Sequence, residues 1–221
     1  MIIVVANSKG GVGKTTIAVH LAAWLIEQGY RVTFCDCDAQ ESSSHWIREA
    51  VPAAKLVRLS TTNDILNELP QLDKETDFVI ADGPGSDAER ARALLLRGDL
   101  AIVPCKASIL EVRALAAATE VLRQAQNIRG GIPKAVIVLS MIGKNFRLTK
   151  DMKDAAAVLN LPLANGAMIL RQVYADAPGQ AAVVWQLGSR AGDAAAEVEN
   201  LFREILPEAA RTRLVRTNKK R

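Results

Sequence analysis

The stretch IIVVANSKGGVGKTT, residues 2 to 16, decides the fold. Ile2 to Val5 read as a strand buried on both faces. Three glycines flanked by Lys9 and Lys14 follow, and then an apolar-periodic run that reaches Gln28 and stops at Gly29. A strand feeding a glycine-rich loop that opens a helix is a setting for phosphate, because the free N–H groups of the first turn point at the ligand and the dipole favours an anion. Gly10, Gly11 and Gly13 let the backbone wrap a β-phosphate, Lys14 supplies charge to the β and γ phosphates, and the Thr15 hydroxyl is placed to ligate Mg²⁺. The strict pattern GxxxxGK(S/T) misses by one residue, since its first glycine falls on Ser8. The bland alternative is a glycine-rich turn with a lysine nearby, and the strand-loop-helix context weighs against it.

Working outward, the same rhythm repeats. RVTFCD, KLVRL, DFVIAD, DLAIVPC and KAVIVLS are short apolar runs, each followed by a segment long enough for a helix. Near-continuous apolar strands are buried on both faces, and strand-helix alternation implies right-handed crossovers. The expected architecture is α/β, a doubly wound and mostly parallel sheet with helices on both faces. After Ser140 the pattern weakens. It predicts a helix from about Leu148 to Leu159, a short extended piece around Ala167 to Ile169, the segment ILRQVYADAPG, and a last helix from about Ser189 to Leu206 that docks Leu201, Ile205 and Leu206 on the sheet.

Two carboxylate signals fall where a phosphate site needs them. TFCDCDAQ puts Asp36 and Asp38 at the C-terminal end of what reads as the neighbouring strand, where open α/β sheets bind ligands, and a period of two points both the same way. One orients the Mg²⁺ shell while the other positions or deprotonates the attacking water, the alternative being that either acid caps the following helix. DFVIADGPG ends a buried strand on Asp82, a costly place for a carboxylate unless it is paired or helps hold a metal.

Together these boxes give a full-length resemblance. The loop resembles the deviant Walker A box, KGGxGK(S/T)(S/T), of the ParA and MinD family of partition and positioning ATPases, through Lys9, Gly10, Gly11, Gly13, Lys14, Thr15 and Thr16. DCDAQ is similar to the family's DxDPQ box, with Ala39 in place of proline, and DFVIADGPG to its Walker B. VPCKASILEVRAL, with Pro104 and Ser108, and ILRQVYADAPGQAAV match later segments. The resemblance implies ATP/ADP and Mg²⁺ as cofactors and an ATP-sandwich homodimer. Lys14 would act in cis and Lys9 on the partner's phosphates, Asp38 on the water, and Thr15, Asp36 and Asp82 on the metal side. The resemblance also implies an adenine pocket built after the strand that ends near Ser140 and from the late segment, with its individual contact residues not assigned.

Composition bounds the rest. The 221 residues contain no linker-like tract, so residues 1–210 read as a single P-loop ATPase domain and 211–221 as a basic tail. No apolar run approaches the roughly 18 to 20 residues of a membrane span, and the N-terminal run lacks a basic flank, so a cytoplasmic protein is expected. Cys35, Cys37 and Cys105 read as reduced, buried hydrophobes; a metal site is the alternative.

The net charge is +4, yet the tail alone carries Arg211, Arg213, Arg216, Lys219, Lys220 and Arg221 and no acid, so the body is slightly acidic. Such a cluster suits nonspecific duplex DNA, with Arg190, Lys144, Arg147 and Lys150 as further candidates; its plain reading is a solvated chain end. A MinD-like membrane helix would need an apolar face, and the tail offers only Leu214 and Val215 as large apolar groups. With the loop beginning at residue 8, no helix-turn-helix precedes it, which implies the short ParA type. Such members associate with the nucleoid and carry a plasmid or, in McdA-like members, a carboxysome, with a ParB-like or cargo-adaptor partner stimulating hydrolysis. A metabolic enzyme of the same superfold, such as dethiobiotin synthetase or a nitrogenase iron protein, is the third reading.

Overall fold

Seven strands line up in the order β3-β2-β4-β1-β5-β6-β7 in the computed structural model, which describes residues 1–38, 41–106, 109–143, 156–157 and 159–210. The strands are β1 (Ile2–Val5), β2 (Val32–Asp36), β3 (Lys55–Arg58), β4 (Phe78–Asp82), β5 (Leu100–Lys106), β6 (Lys134–Ile142) and β7 (Leu163–Ile169). Each neighbouring pair is parallel, so the sheet expected to be mostly parallel is parallel throughout. Its helices are α1 (Lys14–Glu27), α2 (Ser42–Ala50), α3 (Thr62–Glu75), α4 (Ala88–Arg97), α5 (Ile109–Ile128), α6 (Gln172–Gly179) and α7 (Gly192–Ile205).

The period of two sorts the strands onto two cores. Ile3, Val5, Phe34, Ile80, Ile102 and Val138 face α1, α2 and α7. Ile2, Val4, Cys35, Val79 and Ala81 face α3 and α4 on the other side. Val103, Cys105 and Ile137 continue toward α5. Because both faces are covered, neither shows a polar alternation, which is why the strands are legible as apolar runs. α1 is deeply enclosed, buried from Ile17 through Leu25, and its stop is the one expected: Gly29 turns the chain at φ 89°.

Strand order supplies a correction. β2 is not the neighbour of β1; β4 lies between them and pairs with both, Val5 opposite Asp82 and Asp36 opposite Asp82. The two acidic strand tips therefore stand abreast beside the glycine loop.

The late segments are more regular than their sequence. β7 covers seven residues where a short piece is expected, because two register shifts against β6 break its alternation and Asn165 and Gly166 interrupt the apolar run. The Glu204 carboxylate of α7 accepts the N–H groups of Asn165 (2.7 Å) and Gly166 (2.9 Å), fastening this edge. α7 docks through Ala194, Val198, Leu201 and Phe202; Leu206 is buried just past its end, while Ile205 is only partly covered. Most of the helix expected from about Leu148 to Leu159 lies outside the described residues, as do Ala39 and Ser108. The three cysteines are buried and form no disulfide with one another, and burial raises the pKa of the Cys35 and Cys37 thiols, which suits the expected inert hydrophobes.

Phe202 is fully buried with its ring centroid 5.8 Å from that of Trp24, and it is a main tie between α7 and α1. Phe202→Ala should cost about 3–5 kcal/mol, read as a lower urea midpoint at unchanged slope.

Candidate nucleotide and metal site

The loop is clamped at both ends before any ligand is considered. Asn7, just past β1, donates its side-chain amide to the Pro104 carbonyl (2.6 Å) and accepts the Lys9 N–H (2.9 Å). At the far end the Ser140 hydroxyl donates to the Val12 carbonyl (2.6 Å), tying the loop to β6. Gly13 starts α1 at φ 88°, a left-handed conformation that a side chain at this position would strain. The N–H groups of the first turn of α1 are thereby left facing the groove.

Lys14 is buried, its ammonium donating to the Lys9 carbonyl across the loop (2.8 Å). Burial lowers its pKa, and the negative fields of Asp82 and Asp38 oppose that fall. Lys9, by contrast, is exposed on the rim. The Thr15 hydroxyl donates to Asp82 Oδ2 at 2.7 Å. Asp82 Oδ1 is buried and makes no well-aligned hydrogen bond among the described residues, although the Ser43 hydroxyl also acts on this carboxyl. Burial pushes this carboxyl up to about 7, with the Thr15 bond pulling the other way. A carboxylate oxygen without a well-aligned donor, beside a hydroxyl, is a donor set for a hard cation, so these residues fit Mg²⁺.

The two acids after β2 part company. Asp36 is buried, and its carboxylate accepts the Ser44 N–H (2.9 Å), the Ser44 hydroxyl (2.5 Å) and the Asp38 N–H (3.1 Å). It thereby serves the first turn of α2 in the manner of the helix-cap alternative. Asp38, past the strand end, lines the open groove of about 570 Å³ together with Lys9, Gly10, Gly11, Gly13, Lys14, Thr15 and Thr16. The strand period that would point both acids alike ends at Asp36, and the bond from the Asp38 N–H to Asp36 bends the chain there.

Two features escape sequence reasoning. Arg90 of α4 donates to Asp87 Oδ2 (2.8 Å) and to the Cys37 carbonyl (3.1 Å), pinning the segment that carries Asp38. It reads in the sequence as one more surface cation of a charged helix. Adjoining the groove is a second cavity of about 150 Å³, walled by Gly13, Thr16, Ser140, Met141, Met168, Ile169, Leu170, Arg171, Tyr174 and Ala175. Met141, at φ 53° where β6 shifts register, borders both spaces. No spacing rule marks these residues, because an irregular strand end and the start of α6 bring them together.

Of the candidate DNA contacts, Arg190 is exposed in a turn and donates to the Gln180 side chain (2.9 Å). Lys144, Arg147, Lys150 and residues 211–221 lie outside the described residues. No helix among the described residues is long and apolar enough to cross a membrane.

Comparison with known proteins agrees with this geometry. The model of the CobQ/CobB/MinD/ParA nucleotide binding domain family matches residues 3–181. The maintenance of carboxysome distribution protein A of Halothiobacillus neapolitanus is 30% identical over 207 residues, 92% of this chain and 95% of that protein. An ATP complex of a Cyanothece McdA variant superposes with a TM-score of 0.72, at 17% identity, over 92% of this chain and 95% of that one. MinD of Pyrococcus horikoshii, complexed with Mg-ADP, gives 0.68 at 18% identity over 89% and 93%. At these last two identities the likeness is one of fold.

Asp82 sets a pH dependence whose sign follows from its burial. It keeps its proton in the fold up to about pH 7 but loses it near 3.8 in the unfolded chain. Without metal, the contribution of Asp82 to stability therefore falls as pH rises across that window, by on the order of a few kcal/mol, while buried His20, whose pKa is lowered, contributes in the opposite sense up to about 6.5. Asp82→Asn should remove that contribution, so that the stability of wild type minus that of the variant falls with pH in urea unfolding measured from pH 4.5 to 7.5.

Proposed function

Because the chain belongs to the CobQ/CobB/MinD/ParA nucleotide-binding domain family, we propose that it is a ParA-type ATPase that hydrolyses Mg-ATP in a nucleotide-sandwich homodimer. In its ATP state it binds duplex DNA without sequence preference, and it positions an intracellular cargo with a partner protein that stimulates hydrolysis. The observation that carries this reading is one groove in which the buried Lys14, the Thr15 hydroxyl and Asp38 meet a helix N-terminus, with the buried Asp82 carboxylate directly behind the Thr15 hydroxyl.

Support for the individual roles comes from that geometry together with the family's motifs. Loop N–H groups and the Lys14 ammonium bind the β and γ phosphates. Thr15 and Asp82 hold Mg²⁺, and Asp36, one hydrogen bond further back, keeps the Asp38 turn and α2 in place. Bound there, the metal neutralises charge on the phosphate oxygens. Asp38 orients the attacking water and accepts its proton. Lys9, exposed on the rim, reaches the phosphates of the opposite protomer and offsets charge developing on the γ-phosphoryl group, as an arginine finger does. The smaller cavity beside Gly13 and Tyr174 takes the adenosine end.

For the output surface, support comes from the six cations of residues 211–221 and from exposed Arg190. Two copies brought together in an ATP dimer would add a weak contact to its twin, making DNA binding nucleotide-dependent through avidity. The cargo is a plasmid or a protein organelle, and the relative named for carboxysome distribution favours the organelle.

Asp38→Ala should retain ATP and accumulate dimer while hydrolysis falls at least about 100-fold; ordinary turnover in this variant would remove Asp38 from the chemistry. Lys9→Ala should sediment as monomer with ATP, and an ATP-dependent dimer would refute its role across the interface. Binding to nonspecific duplex at two salt concentrations should require ATP. Deleting residues 211–221 should weaken it and flatten its salt slope by up to about 0.9 for each DNA phosphate that the tail neutralises.

A further inference from the structure

His20, in the second turn of α1, is fully buried and has both ring nitrogens engaged. The Val184 N–H can only donate, so Nε2 accepts it (3.1 Å), and the ring proton sits on Nδ1, which donates to the Thr16 carbonyl (2.7 Å). Three aromatic rings meet the imidazole edge-on: Trp46 of α2 at 5.4 Å, Trp185 at 5.6 Å and Tyr174 of α6 at 5.9 Å between centroids. These rings are themselves held. Trp46 donates to the Ala182 carbonyl (2.9 Å), Trp185 to Glu27 (2.5 Å) and Tyr174 to the Ala194 carbonyl (3.2 Å).

Two of the residues that His20 touches, Thr16 and Tyr174, wall the smaller cavity, and Thr16 also lines the phosphate groove. An aliphatic side chain of similar size would fill the same space without a desolvation cost. Only a group with a donor and an acceptor on opposite edges joins the first turn of α1 to the chain that follows α6. Burial lowers the imidazole's pKa to about 4, so one neutral tautomer persists near neutrality and the two bonds keep their directions.

We infer that His20 is a positioning residue for nucleotide binding: it holds the Tyr174 wall of the smaller cavity in register with the phosphate-binding turn, so that base and phosphates are gripped together. This rests on the reading of that cavity as the adenosine site. Without that register, each half of the ligand could still be contacted, but the two halves would no longer reinforce each other.

The test compares Mg-ATP with magnesium tripolyphosphate, which lacks the base, on the full chain. In the wild type, the nitrogen signals of the His20 ring should move with ATP and stay nearly still with tripolyphosphate; the chain has only two histidines, which makes assignment simple. His20→Phe keeps a ring and removes both bonds, and should weaken ATP about 10-fold while changing tripolyphosphate less than about 2-fold. His20→Asn, whose amide can donate toward Thr16, should lose less. Equal weakening of both ligands, or of neither, overturns the inference. Should the variants fail to fold, a wild-type His20 signal indifferent to bound ATP overturns it too. Wild type that binds tripolyphosphate but gains nothing from the base removes the adenosine reading of the cavity, and the inference with it; wild type that binds neither removes the nucleotide reading as a whole.

Discussion

A buried carboxylate at the tip of the strand beside the central one is the constraint around which the site is arranged. Asp82 has one oxygen held by Thr15 at 2.7 Å and the other without a well-aligned hydrogen bond among the described residues. Such a group is expensive in a low-dielectric interior, and the cost is relieved when a proton or a cation occupies it. The sheet register places Asp82 opposite both Val5 and Asp36, so the loop after β1 and the turn after β2 reach it from either side. Lys14, buried over the same spot, contributes the compensating positive field.

The surroundings keep these charges in place by hydrogen bonds to backbone, which lose little entropy on forming because the backbone is already ordered by the sheet. Asn7 and Ser140 fix the glycine loop to β5 and β6, Asp36 fixes α2, and Arg90 fixes the Cys37 carbonyl beside Asp38. The result is preorganisation: donors and acceptors face an open groove before a ligand arrives, so little reorganisation accompanies binding. Lys9, by contrast, stands exposed at the rim. The interior side of α1 carries His20, packed among Trp46, Tyr174 and Trp185, so the first turn of that helix and a wall of the smaller cavity share one support.

Much of this is readable along the chain, and the reason is local. Strands buried on both faces leave unbroken apolar runs, a phosphate loop needs glycines at fixed offsets, and a strand-tip carboxylate stands out against its apolar neighbours. Lys14, Thr15, Asp38 and Asp82 are singled out on those grounds. β7 and the true docking stripe of α7, by contrast, are blurred in the sequence. The former is interrupted by register shifts, and the latter is carried by Ala194, Val198 and Phe202 as much as by the leucines.

What the sequence determines by itself is therefore the α/β class, the glycine loop and the acids that accompany it, since each depends on residues close together in the chain. Strand order, the insertion of β4 between β1 and β2, the separation of Asp36 from the groove that Asp38 lines, and the cavity between Met141 and Tyr174 are decided only in three dimensions. They depend on which faces pack together and on where a strand loses its register, and those outcomes belong to the whole packed core rather than to any one segment.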